Sequence, residues 1–110
     1  MDHIELWDKA KALMREELAN VSYTTWIEQP LKPVYVVDDK LALEVISDFN
    51  EKTIRARYLS MITAAVSQAA GREMTIELMS VKERIEWQER QKKEEAPAMQ
   101  GINMFTPEEG

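Results

Sequence analysis

The sequence predicts a small mixed α/β (α+β) domain of order α-α-β-β-α-β, with a three-stranded sheet packed against helices. Three observations carry that expectation. The apolar period shortens from three-to-four residues to two at Leu31, lengthens again at Ser47, and shortens once more near Met74. Pro30 and Gly71 stand at two of these switches, where one forbids a helix to continue and the other supplies a left-handed helix end. A chain of 110 residues, 45% apolar and 31% charged, is enough for one modest core and no more.

A first helix is expected over residues 2–19. Ile4, Trp7, Met14 and Leu18 recur at helical steps, and Leu6 with Leu13 widens the stripe. Asp2 offers an N-cap oxygen with Glu5 three residues on, the spacing of a capping box. Asn20 is expected to stop this helix. A short helical segment follows from Val21 to Ile27, with Ser22 as its cap and Tyr23, Trp26 and Ile27 on one side. Leu31 to Val37 then reads as a strand, and Pro33 confines it to an edge position or makes it start after Pro33. Asp38-Asp39 is the hairpin turn. Leu41, Leu43 and Val45 alternate with Ala42 and Glu44, as in a strand with one wet face.

The longest helix is expected between Ser47 and Gly71. Asp48 with Glu51 suggests a second capping box, and Phe49, Thr53, Ile54, Tyr58, Met61, Ile62, Ala65 and Ala69 mark its apolar stripe. Met74, Ile76 and Leu78 alternate with Thr75 and Glu77 as a third strand. Residues 1–80 thus form the domain. Residues 81–110 read as a charged helical extension and, from Ala96, a flexible linker; only Val81, Ile85 and Trp87 in the helical part have anything to bury.

Composition argues against most chemistry. Zero Cys leaves no disulfide, thiolate zinc site or cysteine nucleophile, and the single His3 cannot build a metal site or triad alone. The three glycines belong to no phosphate-cradling loop. Adjacent carboxylates at Glu16-Glu17, Asp38-Asp39 and Glu94-Glu95 read as solvated charges, since neighbours on a helix point apart. No cofactor, no metal and no enzymatic activity are therefore expected. The net charge of -6 argues against a main role on a phosphate backbone. No apolar run approaches the roughly 20 residues that span a bilayer, and no basic leader opens the chain, so a cytoplasmic location away from membranes is expected.

Aromatic side chains are more informative. Trp7, Tyr23, Trp26 and Phe49 lie at or near expected helix starts, where a ring can stand at the rim of a core. For Trp26 and Tyr58 the spacing favours packing; for Trp7, core and exposed contact are equally consistent with it. Phe49 falls in a first helical turn and is expected to stand half exposed, the position of an interface hot spot.

The run LWDKAKALMREELANVSYTTWIEQPLKP, then a hairpin, then SDFNEKTIRARYLSMI, resembles the N-terminal domain of the bacterial chromosomal replication initiator DnaA. The resemblance covers about residues 4–80 and rests on Leu6-Trp7, on Tyr23 three before Trp26, on Phe49, and on Arg57-Tyr58-Leu59. It implies a KH-like domain that works as a protein–protein interaction hub in replication initiation, without ATPase or origin-recognition domains in this chain. The partners it implies are a second copy of the chain, the replicative helicase and initiation regulators. It assigns self-association to Trp7 with Leu6, and partner docking to Ser22, Tyr23, Trp26, Ser47, Phe49 and Asn50. Ser22 stands where some members carry Glu, Ser47 where many carry Asn, and Thr53 where the family has Trp. Two alternatives remain open on the residues. One is weak single-stranded nucleic-acid binding through Lys52, Arg55 and Arg57, although Glu51 stands four residues before Arg55 and neutralises part of that charge, and no GXXG loop is present. The other is a freestanding competitor of a full-length initiator, using the same docking residues.

Overall fold

A computed structural model of the protein describes residues 2–100, with side chains described through Lys92. Helix α1 spans His3–Glu17, and its capping box forms as expected: the Asp2 carboxylate accepts from Glu5 N–H at 2.8 Å, and Asp2 N–H donates to the Glu5 carboxylate at 3.5 Å. Its buried line runs through Leu6, Trp7, Ala10 and Met14. Ile4, expected on that stripe, is 55% exposed. At 3.6 residues per turn it falls about 100° from the centre of the buried line, so its step to Trp7 alone was misleading. The helix gives way to extended backbone at Leu18, and Asn20 opens the next helix instead of closing this one.

Helix α2, Asn20–Tyr23, has Ala19 at its N-cap and no side-chain cap, so Ser22 does not cap it. It runs into a π-helical segment, Thr24–Glu28, closed by Gln29 N–H donating to the Thr24 carbonyl at 3.0 Å. Pro30 then ends helical structure. Strands β1 (Leu31–Val37) and β2 (Lys40–Val45) form the hairpin, antiparallel from Leu31 opposite Val45 to Val37 opposite Lys40. Asp38 turns the corner in the left-handed region at φ 53°, which Asp tolerates better than most residues. The register shifts between Pro33 and Tyr35. An edge strand accommodates such a bulge, and β1 is at the edge.

Strand β3, Thr75–Met79, lies parallel to β2 on the other side, giving the order β1-β2-β3. Parallel neighbours require a long crossover, supplied here by one helical rod. It comprises α3 (Asp48–Thr53), a second π-helical segment (Ile54–Tyr58) and α4 (Leu59–Ala70). Ser47, not Asp48, is the N-cap: its Oγ accepts from Asn50 N–H at 3.2 Å. Gly71 ends the rod at φ 74°, in the left-handed region that favours glycine. Just beyond it, Arg72 donates to the Asp39 carboxylate and the Asp38 carbonyl, both at 2.7 Å, tying the rod's end to the hairpin turn.

Helices α1 and α4 pack against one another and cover one face of the sheet. Between them lie Trp7, Met14, Leu41, Leu43, Ile54, Ile62, Val66 and Leu78. The opposite face is wet only in part: Lys40 and Glu77 stay open to solvent, while Ala42 and Met79 are buried. Helix α5, Val81–Gln100, begins with a capping box between Ser80 and Glu83 and packs against β2 and β3. Arg84 Nε meets the Glu44 carboxylate at 3.0 Å, and the Trp87 ring stacks on Tyr35. Ala42 and Met79 are buried, yet lie outside the main core cluster. Successive strand residues face opposite ways, so Ala42 belongs to the face that α5 overlies. A flexible linker is expected over 96–110, but α5 reaches Gln100; residues 101–110 lie outside the described residues. No helix among the described residues is long and apolar enough to cross a membrane.

Candidate docking surface

Two sequence segments meet at Phe49, an aromatic side chain exposed to solvent. Trp26 sits in the first π-helical segment, Phe49 in the first turn of α3, and Tyr58 at the end of the second π-helical segment. The Trp26 ring lies 6.1 Å from Phe49, tilted by 44°, and 6.2 Å from Tyr58, 21° from parallel. Trp26 and Tyr58 are half-buried, while Phe49 is 70% exposed. Beside them opens a shallow depression of about 340 Å³, lined by Trp26, Phe49, Lys52, Thr53, Ala56 and Arg57. A desolvated aromatic at such a rim contributes strongly to a protein interface and has only two torsions to immobilise.

The π-helical turn decides which residues upstream share the buried line of α4. Leu59 N–H donates to the Ile54 carbonyl, five residues back, so the rod carries one extra residue within a turn. That extra residue rotates everything upstream by about 100° relative to α4. The rotation brings half-buried Asn50 and fully buried Ile54 onto the buried line of α4, while Phe49 lies more than about 100° from that line with or without the extra residue and faces outward.

Several residues expected at interaction surfaces have other employment. Leu6 and Trp7, expected at a self-association surface, are buried in the core; Trp7 is 1% exposed, which corrects its placement as a surface contact. Its indole N–H finds no acceptor among the described residues. Tyr23 is also buried. Its hydroxyl donates to Glu28 at 2.8 Å and accepts from Arg15 at 3.1 Å, and the Arg15 guanidinium lies 5.0 Å from the ring centre. Burial, above all, pushes the Tyr23 phenol above its ordinary range, against the pull of Arg15. Tyr23 thus clamps α1 to the segment after α2, and only the neighbouring Trp26 reaches the surface.

Ser47 and Asn50 bond to each other at the α3 N-terminus, where the Ser47 hydroxyl also donates to Asn50 Oδ1 at 2.6 Å. Ser22 is half-buried on α2 and does not line the depression. Of the three basic residues expected to touch nucleic acid, Arg55 is bound to Glu51 at 2.9 Å. Lys52 and Arg57 line the depression instead, and neither is ion-paired among the described residues. Sequence spacing could have grouped the lining: Phe49, Lys52, Thr53 and Ala56 recur at i, i+3, i+4 and i+7, the mark of one helical face.

The model of the DnaA N-terminal domain family matches residues 4–68. This chain belongs to the DnaA N-terminal domain family. The matched span takes in α1, the aromatic surface and most of α4. Among similar proteins, the chromosomal replication initiator protein DnaA of Thermoanaerobacter sp. (strain X514) is 32% identical over 79 residues, which is 72% of this chain and 18% of that protein. The DnaA of Citrifermentans bemidjiense is 35% identical over 81 residues, 74% of this chain and 18% of that protein. That of Geobacter sp. (strain M21) is 36% identical over 72 residues, 66% of this chain and 15% of that protein. This DnaA N-terminal domain therefore spans about a fifth or less of the length of the curated relatives it matches.

Proposed function

We propose that this chain is a non-catalytic protein-docking module of bacterial replication initiation, acting in the cytoplasm and engaging the replicative helicase or an initiation regulator. Membership of the DnaA N-terminal domain family, together with relatives named as chromosomal replication initiators, supports the process. One observation carries the docking role: Phe49 stands 70% exposed against Trp26, on a rim that the packing of the described residues leaves uncovered. Burying such a ring in a partner recovers apolar area with little ordering cost. Phe49→Ala should weaken binding of the replicative helicase from the same organism by about 1–3 kcal/mol, with the melting temperature nearly unchanged. Calorimetric titration and a thermal melt measure both. Unchanged affinity, or a collapsed melt, removes Phe49 from the docking surface.

A further inference from the structure

We propose that the partner segment seated at the Trp26–Phe49 depression is acidic, presenting carboxylates around one apolar anchor. The inference rests on the docking reading above and adds the chemistry of the occupant. Charge placement carries it. The chain is net acidic at -6, and five of its described cations are ion-paired: Lys11 with Asp8 and Glu28, Lys40 with Glu77, Arg55 with Glu51, Arg72 with Asp39, and Arg84 with Glu44. Lys52 and Arg57 are among the cations without an ion pair, and they are the two that border the depression, next to Phe49, one of the two most exposed large apolar side chains among the described residues. A positive rim beside an exposed ring, on a net acidic body, draws an acidic segment to that ring and supplies orientation as well as attraction.

The floor of the depression is built for an apolar side chain rather than a base. Thr53, Ala56 and the edges of Trp26 and Phe49 supply it, and Trp26 already engages two rings, Phe49 and Tyr58. A single-stranded nucleic acid needs an aromatic face free for each stacked base and a track of cations along its backbone. Here two cations are free at the depression and the third, Arg55, is held by Glu51. The geometry favours a peptide.

Selection of a random 12-residue peptide library on the immobilised chain tests this, with synthetic copies of the selected peptides titrated in solution. Selected sequences should be enriched in Asp and Glu around an apolar residue, and their binding should fall in the Phe49→Ala variant. The double variant Lys52→Glu with Arg57→Glu should bind them about ten-fold more weakly at low salt, with its melting temperature unchanged, because both side chains are exposed. Peptides that bind through Phe49 but lack acidic enrichment, or that ignore the double charge reversal, would overturn the acidic occupant and leave the docking reading standing. A selection that yields nothing dependent on Phe49 counts against both. A fifteen-residue oligothymidylate that binds the wild type, fails on the double variant and is not displaced by the acidic peptides would assign the basic rim to nucleic acid instead.

Discussion

The ring of Trp87 lies on the ring of Tyr35, with centres 4.8 Å apart and planes 24° from parallel. This one stack joins the extension after β3 to the edge strand β1, and the ion pair of Arg84 with Glu44 supports it on the neighbouring strand. Helix α5 has too few apolar residues to hold itself on the sheet by area alone, so the aromatic pair is its main anchor.

Trp87→Ala should therefore lower the domain's stability by about 1–2 kcal/mol, combining lost stacking and lost apolar burial. Urea denaturation measures it, and cutting the chain after Ser80 should cost at least as much. A midpoint equal to wild type in both would mean that α5 contributes nothing to the fold.

The core should be most sensitive on one side of α4. Ile62 is fully buried, whereas its neighbour Met61 is half-buried on the rim of a groove with Leu13 and Gln68. Ile62→Ala should cost about 2–5 kcal/mol, and Met61→Ala clearly less. Equal midpoints in the two variants would contradict the helix's placement on the sheet.

Trp7 is a packing residue in this structure, so its removal should unfold before it dissociates. Trp7→Ala should cost about 3–5 kcal/mol, a large part of the total stability expected for a domain of this size. Trp7→Phe should be milder, since it keeps most of the ring and removes an indole N–H that has no acceptor among the described residues. Sedimentation beside a denaturation curve separates the outcomes. A Trp7→Ala chain that melts like wild type yet no longer self-associates would return Trp7 to the surface.

Acid should weaken the outer face of the sheet. The bond from Lys40, at 2.9 Å, holds the Glu77 carboxyl below its ordinary range despite partial burial, and the Tyr35 hydroxyl, which donates at 3.1 Å, adds to the effect. In the unfolded chain Glu77 takes its proton at higher pH, so its stabilisation is present above the ordinary carboxylate value and is lost as pH falls through its lower folded value. Glu77→Gln should flatten the acid limb of a stability-against-pH curve while leaving the neutral region only slightly lowered, because this pair is well exposed to solvent. An identical acid limb in the variant would show that other carboxylates carry it.

Much of the architecture follows from local rules that need no tertiary contact. The Asp2–Glu5 cap, the break at Pro30, the turn at Asp38-Asp39 and the left-handed stop at Gly71 each depend on residues within one turn of the chain. The alternation of Leu41, Leu43 and Val45 likewise marks their common face without reference to what covers it. The resemblance quoted from those same stretches places the chain in its family, and the family match agrees.

Three outcomes were decided only in the folded chain. Trp7 is compatible with core or surface by spacing, and the packing of α1 against α4 places it inside. Phe49 joins the apolar stripe on paper through its step to Thr53, yet in the folded chain it stands outward against Trp26 while the bond made five residues back in the Ile54–Tyr58 segment brings Ile54 inward. Trp87 sits in a charged run with almost nothing to bury, and finds Tyr35 because the sheet's second face was left open for it. A period of 3.6 residues is a property of neighbours, so sequence determines which residues can share a face. Which face is covered, and where the backbone slips by one residue, depends on elements distant in the chain, and only tertiary packing settles it.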